Sequence, residues 1–223
     1  VASWGMENSS LAKLVSGLIF PFGLGMVVLA GAELFTGNCL ITLSVLAGKT
    51  TLPPMVRSWG IVYVGNLLGA VAVAGSQVCF GNLSDGLAAS LAQTAATKCS
   101  LTFSQGVVLG FWCNLLVCLG VLLSLTAQHT TGRILGAYLP VSVFVLCGFE
   151  HSIANMYYIP AGLLLKYSPQ YAAALEGLDL SSLTISNFLF ANLLPVTLGN
   201  ILGGVALSLL LWYGHRLKSN AAN

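Results

Sequence analysis

The chain holds 223 residues, 57% of them apolar and only 6% charged, with a formal net charge of +2. A soluble domain carries about 25% charged residues, so this chain cannot clothe a water-facing surface with charge. That excludes a soluble enzyme, a nucleic-acid binder and a disordered chain, and so small a net charge argues for no polyanionic partner. The solvent is a lipid bilayer.

A membrane helix needs about 20 mainly apolar residues. In chain order, five long apolar segments are predicted, roughly 11–48, 56–80, 103–127, 134–166 and 186–213. Polar stretches separate them at 48–54, 81–100, 128–133 and 167–184. No leader pattern stands at the start, since the Glu7 to Lys13 stretch lacks a basic n-region and a cleavage site. Cys39, Cys79, Cys113, Cys118 and Cys147 fall in apolar stretches and are expected to act as small hydrophobes, with Cys99 the exposed one. No disulfide is assigned.

Cytoplasmic loops carry an excess of Lys and Arg. One set of alternate loops, with the C-terminal tail, holds Lys49, Arg57, Arg133, Arg216 and Lys218 and no acid. The other side holds Lys13, Lys98 and Lys166 together with Glu7, Asp85, Glu176 and Asp179. The first set is therefore expected inside, which puts the C-terminus in the cytoplasm.

The segments 11–48 and 134–166 are too long for one straight span, and each carries a polar interruption near its middle. Both interruptions read G-x-E-x-x-x-x-N, from Gly31, Glu33 and Asn38 and from Gly148, Glu150 and Asn155. Downstream of each comes a second shared string, Gly65-Asn66-Leu67-Leu68-Gly69 and Gly199-Asn200-Ile201-Leu202-Gly203. Two matched strings in one order imply a duplicated unit: repeat one over about 11–80 and repeat two over about 103–213. Repeat two has a span before its broken helix and repeat one does not, so a first span is expected ahead of Val1. With three spans per copy, an odd number, the copies run in opposite directions, as inverted repeats do. Non-helical backbone over 31–38 and 148–155 is expected, and such backbone is tolerated at membrane depth only where it lines a cavity or is buried in protein.

Ionisable groups at that depth are costly and mark functional candidates. Glu33 and Glu150 can serve a permeant or merely cap backbone N–H groups freed by the breaks. His151 is the one histidine inside a span, and Thr36 in the other break offers a hydroxyl or a helix cap. Lys98 stands alone near a span edge, as an interfacial snorkeller or an attractor of anions. Phe20, Leu24, Phe35 and Phe144 could form dry constrictions. The pairs Gly65/Gly69 and Gly199/Gly203 signal close helix packing. No metal-ligand spacing, nucleotide loop or nucleophile–base pair is present, so no metal and no cofactor is expected.

The stretch Gly148-Phe149-Glu150-His151-Ser152-Ile153-Ala154-Asn155-Met156 closely resembles the signature of the formate/nitrite transporter family. So do Ala12-Lys13-Leu14-Val15 leading to Gly31-Ala32-Glu33-Leu34-Phe35-Thr36, and Leu194-Pro195-Val196-Thr197-Leu198-Gly199-Asn200. The resemblance implies an all-α, aquaporin-like inverted repeat with two broken helices, assembled as a homopentamer in the plasma (inner) membrane, one pore per protomer. It implies His151 as the central histidine with Thr36 as its hydroxyl partner. It implies Phe20, Leu24, Phe35, Val117 and Phe144 at the constrictions, and Lys98, Asn114 and Glu150 at anion attraction. The expected function is passage of a small weak-acid anion (formate, nitrite, hydrosulfide, acetate or lactate), proton-linked through His151. The alternatives are a neutral-solute aquaporin-like channel, which would carry paired Asn-Pro-Ala tips absent from both breaks, and a sodium-coupled secondary transporter.

Overall fold

A computed structural model describes the backbone of residues 9–221 and the side chains of residues 10–217. Glu7 and the side chain of Lys218, both counted in the orientation above, lie outside the described residues. Among the described residues every regular element is helical. Helix α1 (Ser9–Ile19) and helix α2 (Pro21–Ala30) are separated by Phe20, with Pro21 opening the second. Two short helices follow, α3 (Phe35–Asn38) and α4 (Ile41–Leu46), then the long α5 (Leu52–Phe80). Next come α6 (Asp85–Cys99), α7 (Phe103–Thr126), α8 (Thr130–Cys147) and α9 (Ser152–Tyr167). After two 3₁₀ turns, a π-helical stretch Asn187–Leu193 leads into α10 (Leu194–Ala221). Among the described residues, five stretches are long and apolar enough to cross a membrane: Ser10–Ala30, Leu52–Phe80, Phe103–Thr126, Thr130–Cys147 and Asn187–Leu217.

Both predicted interruptions exist, but each is shorter than the eight-residue motif. Helix α2 ends on Gly31 at φ 67° and α8 on Gly148 at φ 71°, both left-handed. Only glycine takes that conformation without a Cβ clash. The next N–H in each case reaches back to close the helix end, Ala32 to Val27 O at 2.9 Å and Phe149 to Phe144 O at 3.0 Å. Extended backbone then runs only to Leu34 and to His151, and helix resumes at Phe35 and Ser152. The expectation of non-helical backbone throughout 31–38 and 148–155 is thus corrected to two short gaps, because Phe35 and Ser152 each find a partner that restarts the helix.

The stretch 81–100, taken above as a polar break, contains α6. Its Ala-rich sequence has strong helix propensity and low hydropathy, which hid it. Its buried side, Ala88, Leu91, Ala92, Ala95, Ala96 and Cys99, packs on α9. Cys99 is accordingly buried, while Cys79 and Cys147 are the exposed thiols, the reverse of the sequence expectation.

Helix α7 starts with a capping box, Thr102 accepting from the Gln105 backbone and Gln105 returning the bond. It lies between α8 and α10. Helix α10 reaches it through Gly199 and Gly203. A Cβ added there would sit 2.2 Å from Val107 O and 2.2 Å from Phe111 O, respectively. The small-residue signal is therefore real on α10, whereas a Cβ at Gly65 or Gly69 on α5 meets nothing within 4 Å. Helix α5 packs on α9, and α10 on α4.

Gly203→Ala forces one methyl into the α7 backbone, and overpacking of this kind costs about 1–3 kcal/mol or more. Thermal unfolding in detergent is expected to show a clear loss of stability. Gly214→Ala, where the added Cβ meets nothing within 4 Å, is expected to leave the midpoint unchanged or slightly raised.

Candidate functional site

A helix interrupted inside a membrane leaves backbone N–H and C=O groups that lipid cannot satisfy. The asparagine of each Gly-Asn string supplies them. Asn66 donates to Glu33 O at 3.1 Å and accepts from the Phe35 N–H at 3.0 Å. Asn200 donates to Glu150 O at 3.1 Å and accepts from the Ser152 N–H at 2.9 Å. One amide thus ties a carbonyl inside each gap to the first N–H of the helix that follows it. The repeated carboxylates have a different duty from capping. Asn38 Nδ2 donates to Glu33 Oε2 at 2.6 Å, and Asn155 Nδ2 to Glu150 Oε2 at 2.7 Å.

Around Glu150 the bonding goes further. Lys98 Nζ, in the last turn of α6, lies 2.8 and 2.9 Å from the two carboxylate oxygens. Its ammonium also sits 5.8 Å from the centre of the Tyr158 ring. Asn192 accepts from Asn155 at 2.7 Å and donates to Lys98 O at 2.8 Å, closing the circuit. The lone span-edge lysine is therefore an ion-pair partner inside the protein.

His151 occupies the N-cap of α9. Its Nδ1 accepts from the Ala154 N–H at 3.1 Å, so the proton of the neutral ring resides on Nε2 and is donated to Thr36 Oγ1 at 2.9 Å. That bond joins α3, just past the first gap, to the second gap. Thr36 is fully buried behind the imidazole, so it braces His151 and does not share its cavity. The ring stacks on Phe144, centroids 5.9 Å apart, and Phe144 meets Phe20 edge-on at 5.7 Å.

Three cavities lie in sequence along this wall. The first, about 470 Å³, is bordered by Lys13, Ser16, Lys98, Glu150, His151 and Tyr158. The second, about 370 Å³, is mostly apolar, with Leu24, Leu34, Val117, Ile153 and His151 on its walls. The third, about 390 Å³, is bordered by Glu33, Asn38, Ser44 and Val121. Phe20 and Phe144 border both the first and the second, while Leu24, Val27 and Leu34 border both the second and the third. Neighbouring cavities thus share walls, the first of Phe20 and Phe144 with His151 and Tyr158, the second wholly apolar.

Of the residues singled out from sequence, the structure brings Lys98, Glu150 and His151 together and places Phe20, Phe144, Leu24 and Val117 on the cavity walls. Phe35 and Asn114 face elsewhere. Phe35 is buried against Trp59 and Tyr63, ring centres 6.2 and 4.8 Å away, and borders none of the three cavities. Asn114 is fully buried and donates to Asn200 O at 2.6 Å, holding the bridging residue. Sequence reasoning missed Leu34, Val27, Tyr158 and Asn192. Leu34 had a usable signal: it holds the same place in break one as His151 in break two.

Comparison with known proteins supports the fold. The family profile described as formate/nitrite transporter matches residues 1–214. The chain belongs to the formate/nitrite transporter family. It is 38% identical to a probable formate transporter of Methanothermobacter thermautotrophicus, over 96% of this chain and 80% of that one. It is likewise 38% identical to the formate channel FocA of Escherichia coli K12, over 97% of this chain and 78% of the relative. A solved pentameric formate channel with formate bound superposes with a TM-score of 0.82 at 35% identity, covering 93% of this chain and 84% of that one. As a formate/nitrite transporter it is a multi-pass integral membrane protein.

Asn200 also donates to Gly110 O at 2.8 Å, so four bonds converge on one buried side chain and its carbonyl. Each buried bond contributes about 0.5–1.5 kcal/mol and an orphaned partner costs more. Asn200→Ala is expected to lower stability by about 2–4 kcal/mol in denaturant titration in micelles, and Asn200→Asp to recover little of it, because a carboxylate cannot donate.

Proposed function

We propose that this formate/nitrite transporter passes formate and related small weak acids across the plasma (inner) membrane, linked to protons, with His151 at the point where the permeant is neutral. The observation that carries this reading is the position of His151 on the wall shared by a charged cavity and an apolar one. Lys13 and Lys98 favour an anion in the first cavity. Beyond Phe20 and Phe144 an ion would lose hydration at a cost of tens of kcal/mol, whereas a neutral acid pays only the far smaller cost of a polar group. Protonation of the anion before the seam removes that difference.

The proton has two routes. Water can supply it in the first cavity, or the imidazole can relay it, which places a proton on Nδ1 and gives up the Ala154 bond. Both ring nitrogens are already engaged by the protein, which favours water as donor and His151 as a fixed polar wall. Formate as permeant and a pentameric assembly are carried over from the relatives named above. The domain is read as two inverted repeats, about 11–80 and about 103–213, supported by the matched Asn66 and Asn200 bridges. The loop-charge bias supports a cytoplasmic C-terminus.

His151→Phe removes both nitrogens and is expected to cut formate flux into proteoliposomes more than tenfold. His151→Asn keeps an N-cap acceptor and a donor, and is expected to retain flux. A pH profile preserved in that variant assigns the proton to water, and a flattened one assigns it to the ring. Thr36→Ala loses one hydroxyl bond, about 0.5–1.5 kcal/mol, and is expected to reduce flux by less than about tenfold. Wild-type flux in both His151 variants contradicts the role given to this residue.

A further inference from the structure

Past the second gap, α9 meets the pore again. His151, Ala154 and Tyr158 follow one another at steps of three and four residues, which puts them on one face of the helix. All three border both the first and the second cavity, as do Phe20 and Phe144. His151, Phe144 and Phe20 run ring to ring, whereas Tyr158 is held by other neighbours. Its ring meets Tyr157 edge-on, centroids 5.4 Å apart, and lies 5.8 Å from the Lys98 ammonium. Tyr157 is itself fixed, its hydroxyl donating to Gln77 of α5. Both tyrosine rings pack against the cluster that holds Ala88, Leu91, Ala92 and Ala161. Two helical turns, about 10 Å, separate His151 from Tyr158, and Ala154 places only a methyl between them.

We infer, resting on the weak-acid reading above and deepening it, that Tyr158 is a specificity-determining residue: a fixed ring that limits the size of the acid passing from the first cavity to the second. A side chain that borders two cavities is part of the partition between them, so shortening it joins them. Among the described residues this partition is made of four rings and one methyl, and the methyl of Ala154 is its low point. Tyr158 stands beside that low point and cannot swing away, because Tyr157 and the alanine-rich cluster fill the space behind it. Formate carries a hydrogen where lactate carries a hydroxyethyl group, so a gap that admits the first obstructs the second. Charge cannot draw this distinction, since both anions are monovalent and Lys13 and Lys98 attract them alike. Nor can protonation, since the two acids have nearly the same pKa. Size can.

The test measures labelled formate and lactate uptake into proteoliposomes of the pure protein, at one pH and equal concentrations, with uptake into protein-free liposomes subtracted. In the wild type, formate is expected to enter faster than lactate by about tenfold or more. Tyr158→Ala is expected to bring lactate to within about threefold of formate. Tyr158→Phe keeps the ring and is expected to leave the wild-type ratio within about twofold. The ratio is the readout because a role in folding alone lowers both fluxes together and leaves it unmoved. Size-exclusion chromatography shows which variants assemble. An unchanged ratio in assembled Tyr158→Ala overturns the inference. So does a Tyr158→Phe ratio that moves as far as that of Tyr158→Ala, which assigns the selection to the hydroxyl, and so does a wild type that passes the two acids equally. Should Tyr158→Ala fail to assemble, Tyr158→Leu, which also removes the ring, is read in its place by the same criteria. A wild type that moves no formate strikes instead at the transport reading itself.

Discussion

The constraint on which the structure depends is that a backbone polar group at membrane depth must find a partner in the protein. Two helices stop midway, and each stop strands an N–H and a C=O. Asn66 and Asn200 meet both needs with one side chain apiece. Without such a bridge an extended stretch of three or four residues in hydrocarbon would be untenable. With it, the gap becomes a place where non-helical residues can border a cavity.

From that device the rest follows. Gly31 and Gly148 turn the chain out of the helix, Leu34 and His151 occupy equivalent positions in the gaps, and the Thr36–His151 bond ties α3 to the second gap. The same fold places an apolar side chain on one wall of the middle cavity and an imidazole on the other. The two gaps match in their glycine, carboxylate and bridging amide and differ at one place, where His151 stands opposite Leu34.

Much of this was legible in the sequence because the bridge needs the same residue types twice. The strings around Glu33 and Glu150, and around Asn66 and Asn200, repeat because both gaps require one turn-forming glycine, one bridging amide and one carboxylate–amide pair. Helix α6 was not legible by hydropathy, since its alanines favour a helix while the interleaved Ser90, Gln93, Thr94 and Thr97 lower its hydropathy. That Phe35 and Asn114 border none of the three cavities has another reason. Helices apolar on every side carry no periodic mark of which face meets a cavity, so a position on a helix did not fix what the side chain touches. Lys98 looked isolated because its partner Glu150 lies 52 residues away along the chain.

If the permeant crosses the apolar seams as a neutral acid, a proton must move with it. Proteoliposomes containing the pure protein and an entrapped pH dye are given an inward formate gradient at zero membrane potential. Passage as the neutral acid acidifies the lumen in step with formate uptake and leaves uptake insensitive to an imposed potential. Uptake driven by the potential, with no change in lumen pH, would contradict it.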